Sequence, residues 1–170
     1  MGLPRVLKNQ MLFRNGLAFI GEVPGVTLPK LTRKLEGWRG GGMDGTVKID
    51  LGAGEDLDLE FTSGGPLRDV IRGFGGTIDG EMYRFAGAYQ RDNEPVPDSV
   101  ETIVRGRLEE IDMGESKAGE AGEFKYKVPC TYYKLTWNGV EEIEIDILNM
   151  VFRVGGVDRL AAQRAAIGLF

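Results

Sequence analysis

The sequence predicts a mainly β protein: an antiparallel sandwich or barrel with one or two short helices. Three observations carry this. Glycine fills 26 of 170 positions, about twice its usual share, so the chain turns often. Four Asx-Gly pairs stand at Asn15-Gly16, Asp44-Gly45, Asp79-Gly80 and Asn138-Gly139, and such pairs tolerate the positive φ that tight hairpins require. Several stretches alternate apolar and polar residues, the mark of a strand with one buried face. The length fits one domain over residues 1–170. That is long enough to bury a core without disulfides or metals.

The elements follow in order. Met11-Leu12-Phe13 and Leu17-Ala18-Phe19-Ile20 bracket the first Asx-Gly pair and predict a hairpin. Residues from about 26 to 43 alternate poorly, carry Lys30, Arg33, Lys34 and Arg39, and end in Gly40-Gly41-Gly42. They read as an extended docking arm. From about 45 to 62, Thr46, Lys48 and Asp50 alternate with Val47, Ile49 and Leu51. After Gly52-Ala53-Gly54, Asp56, Asp58, Glu60 and Thr62 alternate with Leu57, Leu59 and Phe61. This predicts a hairpin with one face on the core and one strongly charged face. Leu67, Val70, Ile71 and Phe74 then take helical spacing, with Pro66 suited to the start and Gly75 to the stop.

Tyr83, Phe85 and Tyr89 predict a strand, as do Val100, Thr102, Val104 and Leu108, and Phe124, Tyr126, Val128 and Cys130. Residues 91–97 and 114–122 read as polar loops. Tyr132 to Trp137 and Val140 to Ile145 bracket Asn138-Gly139 as a second hairpin. The tail from Val157 to Ile167 is spaced for a short helix that Asp158 could cap.

The residue inventory argues against catalysis. Histidine is absent, which removes Ser-His-Asp, Cys-His and histidine-metal chemistry. The single cysteine, Cys130, reads as a small buried apolar residue. Arg39 before three glycines lacks the lysine of a phosphate loop. Asp56, Asp58 and Glu60 would stand ~7 Å apart along a strand, too far to share one Ca²⁺. Glu109, Glu110 and Asp112, and Glu141, Glu142, Glu144 and Asp146, contain enough carboxylates for glycoside hydrolysis. Their alternation with Ile143 and Ile145 instead describes the wet face of a strand. Trp38 and Trp137 fit core or interface packing better than a sugar platform. No enzyme activity, cofactor or metal is expected.

The N-terminus has no apolar signal run, Val6 occupies the position where myristoylation needs Ser or Thr, and no apolar stretch is long enough for a membrane helix. A soluble cytoplasmic chain without membrane anchoring is expected. Net charge is −5 and unevenly placed. Residues 1–43 carry seven basic and two acidic side chains, and residues 44–62 one basic and six acidic. Such opposed segments favour head-to-tail attraction between copies.

Beyond this, the chain resembles a known family. The residues are Gly21-Glu22-Val23-Pro24-Gly25-Val26-Thr27-Leu28-Pro29-Lys30-Leu31, then Trp38-Arg39-Gly40-Gly41-Gly42-Met43-Asp44, then Ile49-Asp50-Leu51-Gly52. Lys117-Ala118-Gly119-Glu120, Glu123-Phe124-Lys125-Tyr126, Tyr132-Tyr133-Lys134-Leu135, Glu144-Ile145-Asp146 and Gly156-Val157-Asp158-Arg159-Leu160 follow in the same order. Together they resemble the major tail tube proteins of contractile-tailed phages and R-type tailocins. Trp38 departs from the tyrosine expected there, and Met150 from a turn glycine.

The resemblance implies a tail-tube fold and a structural role. Six subunits would form a ring, rings would stack into a rigid inner tube, and each subunit would add strands to a barrel around a lumen. The implied partners are further copies of the chain, a tail sheath protein, a tape-measure protein in the lumen, baseplate and terminator proteins, and DNA that passes without specific binding. The implied location is the virion tail, assembled in the host bacterial cytoplasm. In such a tube the charged hairpin would face the channel with Lys48, Asp50, Asp56, Asp58 and Glu60. The arm, with Lys30, Arg33, Lys34, Trp38 and Arg39, would contact neighbouring subunits. The other readings are a tube of a non-phage contractile injection or secretion system, a soluble β-sandwich binding module, and a carboxylate hydrolase.

Overall fold

Both expected hairpins close on Asx-Gly turns. Asn15 and Gly16 take φ of 47° and 86°, and Asn138 and Gly139 take 48° and 82°, so all four occupy the left-handed region these residues tolerate. The computed structural model describes residues 2–169. Met1 and Phe170, the ends of the expected 1–170 domain, lie outside the described residues.

The strands run in chain order as β1 (Val6–Arg14), β2 (Leu17–Ala18), β3 (Gly25–Thr27), β4 (Arg33–Trp38), β5 (Val47–Ala53) and β6 (Asp58–Ser63). After helix α1 (Arg68–Ile71) come β7 (Glu81–Gln90), β8 (Asp98–Gly106), β9 (Glu110–Asp112), β10 (Phe124–Trp137), β11 (Val140–Asp146), β12 (Val151–Val154) and β13 (Val157–Asp158). Helix α2 (Ala161–Ala166) follows. Half the chain is strand and only two short segments are helix, as the turn-rich, alternating sequence predicts. No helix among the described residues is long and apolar enough to cross a membrane.

The architecture turns on β10. Its C-terminal half pairs with β8 and β11 in a large antiparallel sheet ordered β13-β12-β11-β10-β8-β7-β1-β2. Its N-terminal half pairs with β6 on one side and β9 on the other, and β3 adds to β6. A small sheet ordered β3-β6-β10-β9 results. The register slips between Cys130 and Tyr132, where the strand passes from one sheet to the other, the usual place for a bulge.

One core lies between the sheets. Leu12, Tyr83, Phe85, Val104 and Tyr133 enter it from the large sheet, and Leu59, Phe61, Tyr126 and Val128 from the small one. Phe61 stacks on Tyr126 at 4.9 Å and tilts against Tyr83 at 5.5 Å. Leu67 and Val70 of the α1 region are buried there. The helix ends at Ile71, so Phe74, expected on the same face, is exposed. The expected 157–167 helix is shorter, and Asp158 does not cap it: Asp158 lies in β13, the N-cap is Leu160 without a side-chain cap, and Asp158 accepts from Leu160 N–H at 3.1 Å and from Arg164 at 2.6 Å. Met150 takes φ of 54°, so the residue standing in place of a glycine sits in a conformation that favours glycine.

One expected pairing is corrected. β5 and β6 do not form a hairpin over 45–62. β5 pairs with β4, in a separate two-stranded ribbon, through Trp38↔Val47, Glu36↔Ile49, Gly37↔Lys48 and Leu35↔Asp50. Gly52-Ala53-Gly54 ends the ribbon instead of turning into a partner. Alternation marks a strand but not its neighbour. β6 takes the distant β10 because that pairing buries Leu59 and Phe61 against Val128 and Tyr126. Within the expected arm of residues 26–43, Arg33–Trp38 is a strand despite its poor alternation.

Candidate functional site: a projecting ribbon and a charged sheet face

The ribbon is built by alternation without a core. Directly paired residues share a face, so Trp38, Val47, Glu36 and Ile49 lie on one side, and Leu35, Gly37, Lys48 and Asp50 on the other. Trp38 is 59% exposed, Val47 49% and Ile49 45%. The expected burial of Val47 and Ile49 therefore does not occur within one chain, whereas Leu57, Leu59 and Phe61 are buried as expected. Asp44-Gly45 lies in the connection between β4 and β5.

The base of the ribbon is tied down. The Arg33 guanidinium donates to both oxygens of Asp50, at 3.0 and 3.1 Å, and lies 4.7 Å over the Phe152 ring. Asp50 also accepts from Gly52 N–H at 2.8 Å. Arg33, and then this N–H, hold its carboxyl below the usual aspartate value. Gly54 N–H donates to Thr32 O at 2.9 Å, and Glu55 N–H to the Thr32 hydroxyl at 2.6 Å. A Cβ at Gly54 would overlap Thr32, so the crossing requires glycine.

The outer face of the small sheet carries the second group. Cross-strand pairing aligns Thr27, Glu60, Lys127 and Glu110 in one row, and Gly25, Thr62, Lys125 and Asp112 in the next. Asp58 opposes Pro129. Lys127 lies between carboxylates, 3.9 Å from Asp58 and 3.8 Å from Glu109. Burial pushes the Asp58 carboxyl above its usual value; Lys127 opposes this, and Asp56, Glu109 and Glu60 reinforce it.

The five residues assigned to one charged hairpin face are thus divided. Asp58 and Glu60 lie on the small sheet, Asp56 is exposed in the loop before it, and Lys48 and Asp50 are on the ribbon. Of the arm residues, Arg33, Lys34 and Trp38 are in β4, Arg39 follows it directly, and Lys30 is exposed in the segment before it. Lys125, Lys127, Glu110 and Asp112 were missed as members of the charged face. The signal was present, because they alternate with Tyr126 and Val128 or flank Ile111.

The other carboxylate clusters serve the fold. Glu144 accepts from the Tyr132 hydroxyl and from Arg153, both at 2.8 Å, and Asp146 accepts twice from Asn149. Among the described residues no group of three or more His, Cys, Asp or Glu could hold a metal ion.

The sandwich thus presents two distinct surfaces, a bare ribbon and a charged outer sheet face. The family model described as phage tail tube protein FII matches residues 4–168. The chain belongs to the phage tail tube protein FII family. It is 48% identical over 172 residues to the tail tube protein of Escherichia phage P2, an alignment covering 99% of this chain and 100% of that one. It is also 40% identical over 157 residues to the major tail tube protein of Serratia phage KSP20, covering 92% and 91%. The family membership matches the resemblance read from the sequence, and with it the structural role. A phage tail tube protein assembles with further copies of itself and associates with other tail components.

Proposed function

We propose that the chain forms hexameric rings which stack into the inner tube of a contractile tail. The observation that supports this most is the ribbon, which leaves Trp38, Val47 and Ile49 uncovered in the single chain. Exposed apolar strands are a liability unless another surface covers them. A family whose members build tubes supplies that surface from its own copies. The arm, with Lys30, Arg33, Lys34, Trp38 and Arg39, is the inter-subunit contact.

The small sheet is the channel wall in this reading. Its edge strands β3 and β9 are three residues each. Edges of neighbouring copies placed side by side continue the sheet around a ring. Asp58, Glu60, Glu110 and Asp112 then face the lumen with Lys125 and Lys127 among them, and Asp56 lies at the margin. Lys48 and Asp50 join this wall only where the ribbon crosses onto a neighbour. Acidic residues in excess keep a polyanion from binding by phosphate neutralisation, so DNA slides without sticking. A sheath surrounds the tube, a tape-measure protein fills it during assembly, and baseplate and terminator proteins close its ends. The assembled protein belongs to the virion tail, and assembly takes place in the host cytoplasm.

Electron microscopy of the concentrated protein, with baseplate or preformed tube as initiator, tests the reading. Rings and tubes are expected, and monomer under all these conditions overturns it. Replacing residues 33–53 with a short glycine linker should leave a folded body that no longer stacks. Normal tubes from that variant would remove the ribbon from the contact.

A further inference from the structure

At the foot of the ribbon lies an apolar groove of about 410 Å³. Leu57, Ile143, Ile145, Phe152 and Leu160 line it, with Ile147 at its exposed side. It is preformed: Arg164 bonds both Asp158 at 2.6 Å and the Met150 carbonyl at 2.9 Å, fixing α2 against the turn before β12. We propose that this groove receives the apolar face of the ribbon, around Trp38 and Val47, from a second copy of the chain. The inference rests on the tube reading above and assigns the receptor for its ribbon.

Three observations select that occupant. The first is chemical match, since the groove is apolar-walled and the ribbon carries an uncovered Trp38-Val47 pair. The second is charge. Arg39 and Lys48 near the ribbon end, which also holds Glu36 and Asp44, make no ion pair among the described residues, and neither do Glu55 and Asp146 at the groove. These two cations are open to pairing with the two rim carboxylates between copies.

The third is reach. Trp38 stands five residues along the strand from Arg33, which is ~17 Å. Arg33 is itself at the groove. The tip cannot fold back onto its own groove without breaking the ribbon, so the occupant comes from another copy. A chain with a donor at one end of a ribbon and its acceptor at the other adds copies head to tail, which propagates a stack.

The test uses full-length chains assembled into tubes. A Val47→Cys chain is mixed with an Ile147→Cys chain, both exposed positions that leave Trp38 in place. A short bis-maleimide is added, and the 47–147 linkage is read by peptide mass spectrometry. We expect roughly ten-fold or more linkage in tubes than in the dispersed chain at equal concentration, because docking holds the two positions together. A separate Ile147→Lys variant should form rings that do not stack. Tubes without the linkage, or normal stacking by Ile147→Lys, overturn the groove assignment and leave the tube reading intact. Position 147 blocked to maleimide only in whole tails, and open in pure tubes, assigns the groove to another tail component and also overturns it. Failure of the unsubstituted chain to form tubes under any condition strikes the tube reading itself.

Discussion

Arg14 donates to Glu81 at 2.8 Å in a site almost closed to water, their side chains 17% and 5% exposed. The other Glu81 oxygen accepts from the Tyr83 hydroxyl at 2.6 Å. Burial, and then the Glu81 carboxylate, push the Tyr83 phenol well above its usual pKa, so it stays a donor. A Cβ at Gly73 would overlap the Glu81 carboxylate and crowd Arg14. This cluster joins the end of β1, the start of β7 and the turn after α1. Glu81→Ala leaves a buried guanidinium without its partner and should cost about 3–5 kcal/mol. Gly73→Ala should approach the same loss by forcing the carboxylate away. Urea unfolding of both variants checks this, and a loss below about 1 kcal/mol would place the pair among weak surface bridges.

Tyr126 carries a second buried contact. Its hydroxyl accepts from Leu67 N–H at 3.2 Å and from the Ser63 hydroxyl at 3.4 Å. Tyr126→Phe keeps the stack on Phe61 and leaves the Leu67 N–H unpaired. A loss of about 1–3 kcal/mol is expected. Equal stability by thermal and urea unfolding would mean that water reaches this donor.

Cys130 is buried, and burial pushes its thiol up to about 12. The thiolate is the reactive form. Native protein at mildly alkaline pH should resist alkylation, and unfolded protein should react completely. Rapid labelling of the native chain by iodoacetamide, followed by mass spectrometry, would contradict the packing described for β10.

Two carboxylates hold the ribbon foot and its surroundings. Arg33 lowers the pKa of Asp50, and Arg164 that of Asp158. A lowered folded-state pKa means the stabilisation is fully present above the unfolded value and is lost as pH falls through the folded one. Both ties should therefore hold at about pH 5 and weaken toward about pH 2.5. Limited pepsin digestion across that range should show cuts appearing in residues 33–53 at the acid end first. Asp50→Asn should show the same cuts at higher pH.

The channel wall gives a functional prediction. Replacing Asp56, Asp58 and Glu60 together with lysine reverses three charges beside Lys125 and Lys127. These side chains are exposed or half-buried, so the subunit should still fold. DNA ejection from virions carrying the variant should slow several-fold at low salt and recover as salt screens the wall. Ejection at the normal rate at low salt would place this face outside the channel.

The local elements were legible in the residues. Asn15-Gly16 and Asn138-Gly139 announced their hairpins because positive φ at two successive positions is a local demand. Leu59 with Phe61, Tyr126 with Val128, and Val100 with Val104 announced inward faces because side chains alternate in a strand. The absence of histidine narrows the available chemistry at the level of composition. The order of motifs from Gly21 to Leu160 pointed to the family. β4 was missed because Arg-Lys-Leu-Glu-Gly-Trp carries only a faint alternation, and its best clue was the distant Asp44-Gly45 turn.

Partnership was decided by the tertiary structure alone. β5 and β6 carry the same period, yet β6 joins β10 across some sixty residues and enters the core, while β5 joins β4 and stays outside it. The sequence states that each strand has an apolar face; it does not state which surface covers that face. For Phe61 the cover is Tyr126 of the same chain, where stacking and burial outweigh the entropy of closing a long loop. Val47 stays half exposed among the described residues, because the ribbon is a two-stranded element tied at its foot by Arg33 and Asp50 and standing apart from the sheets.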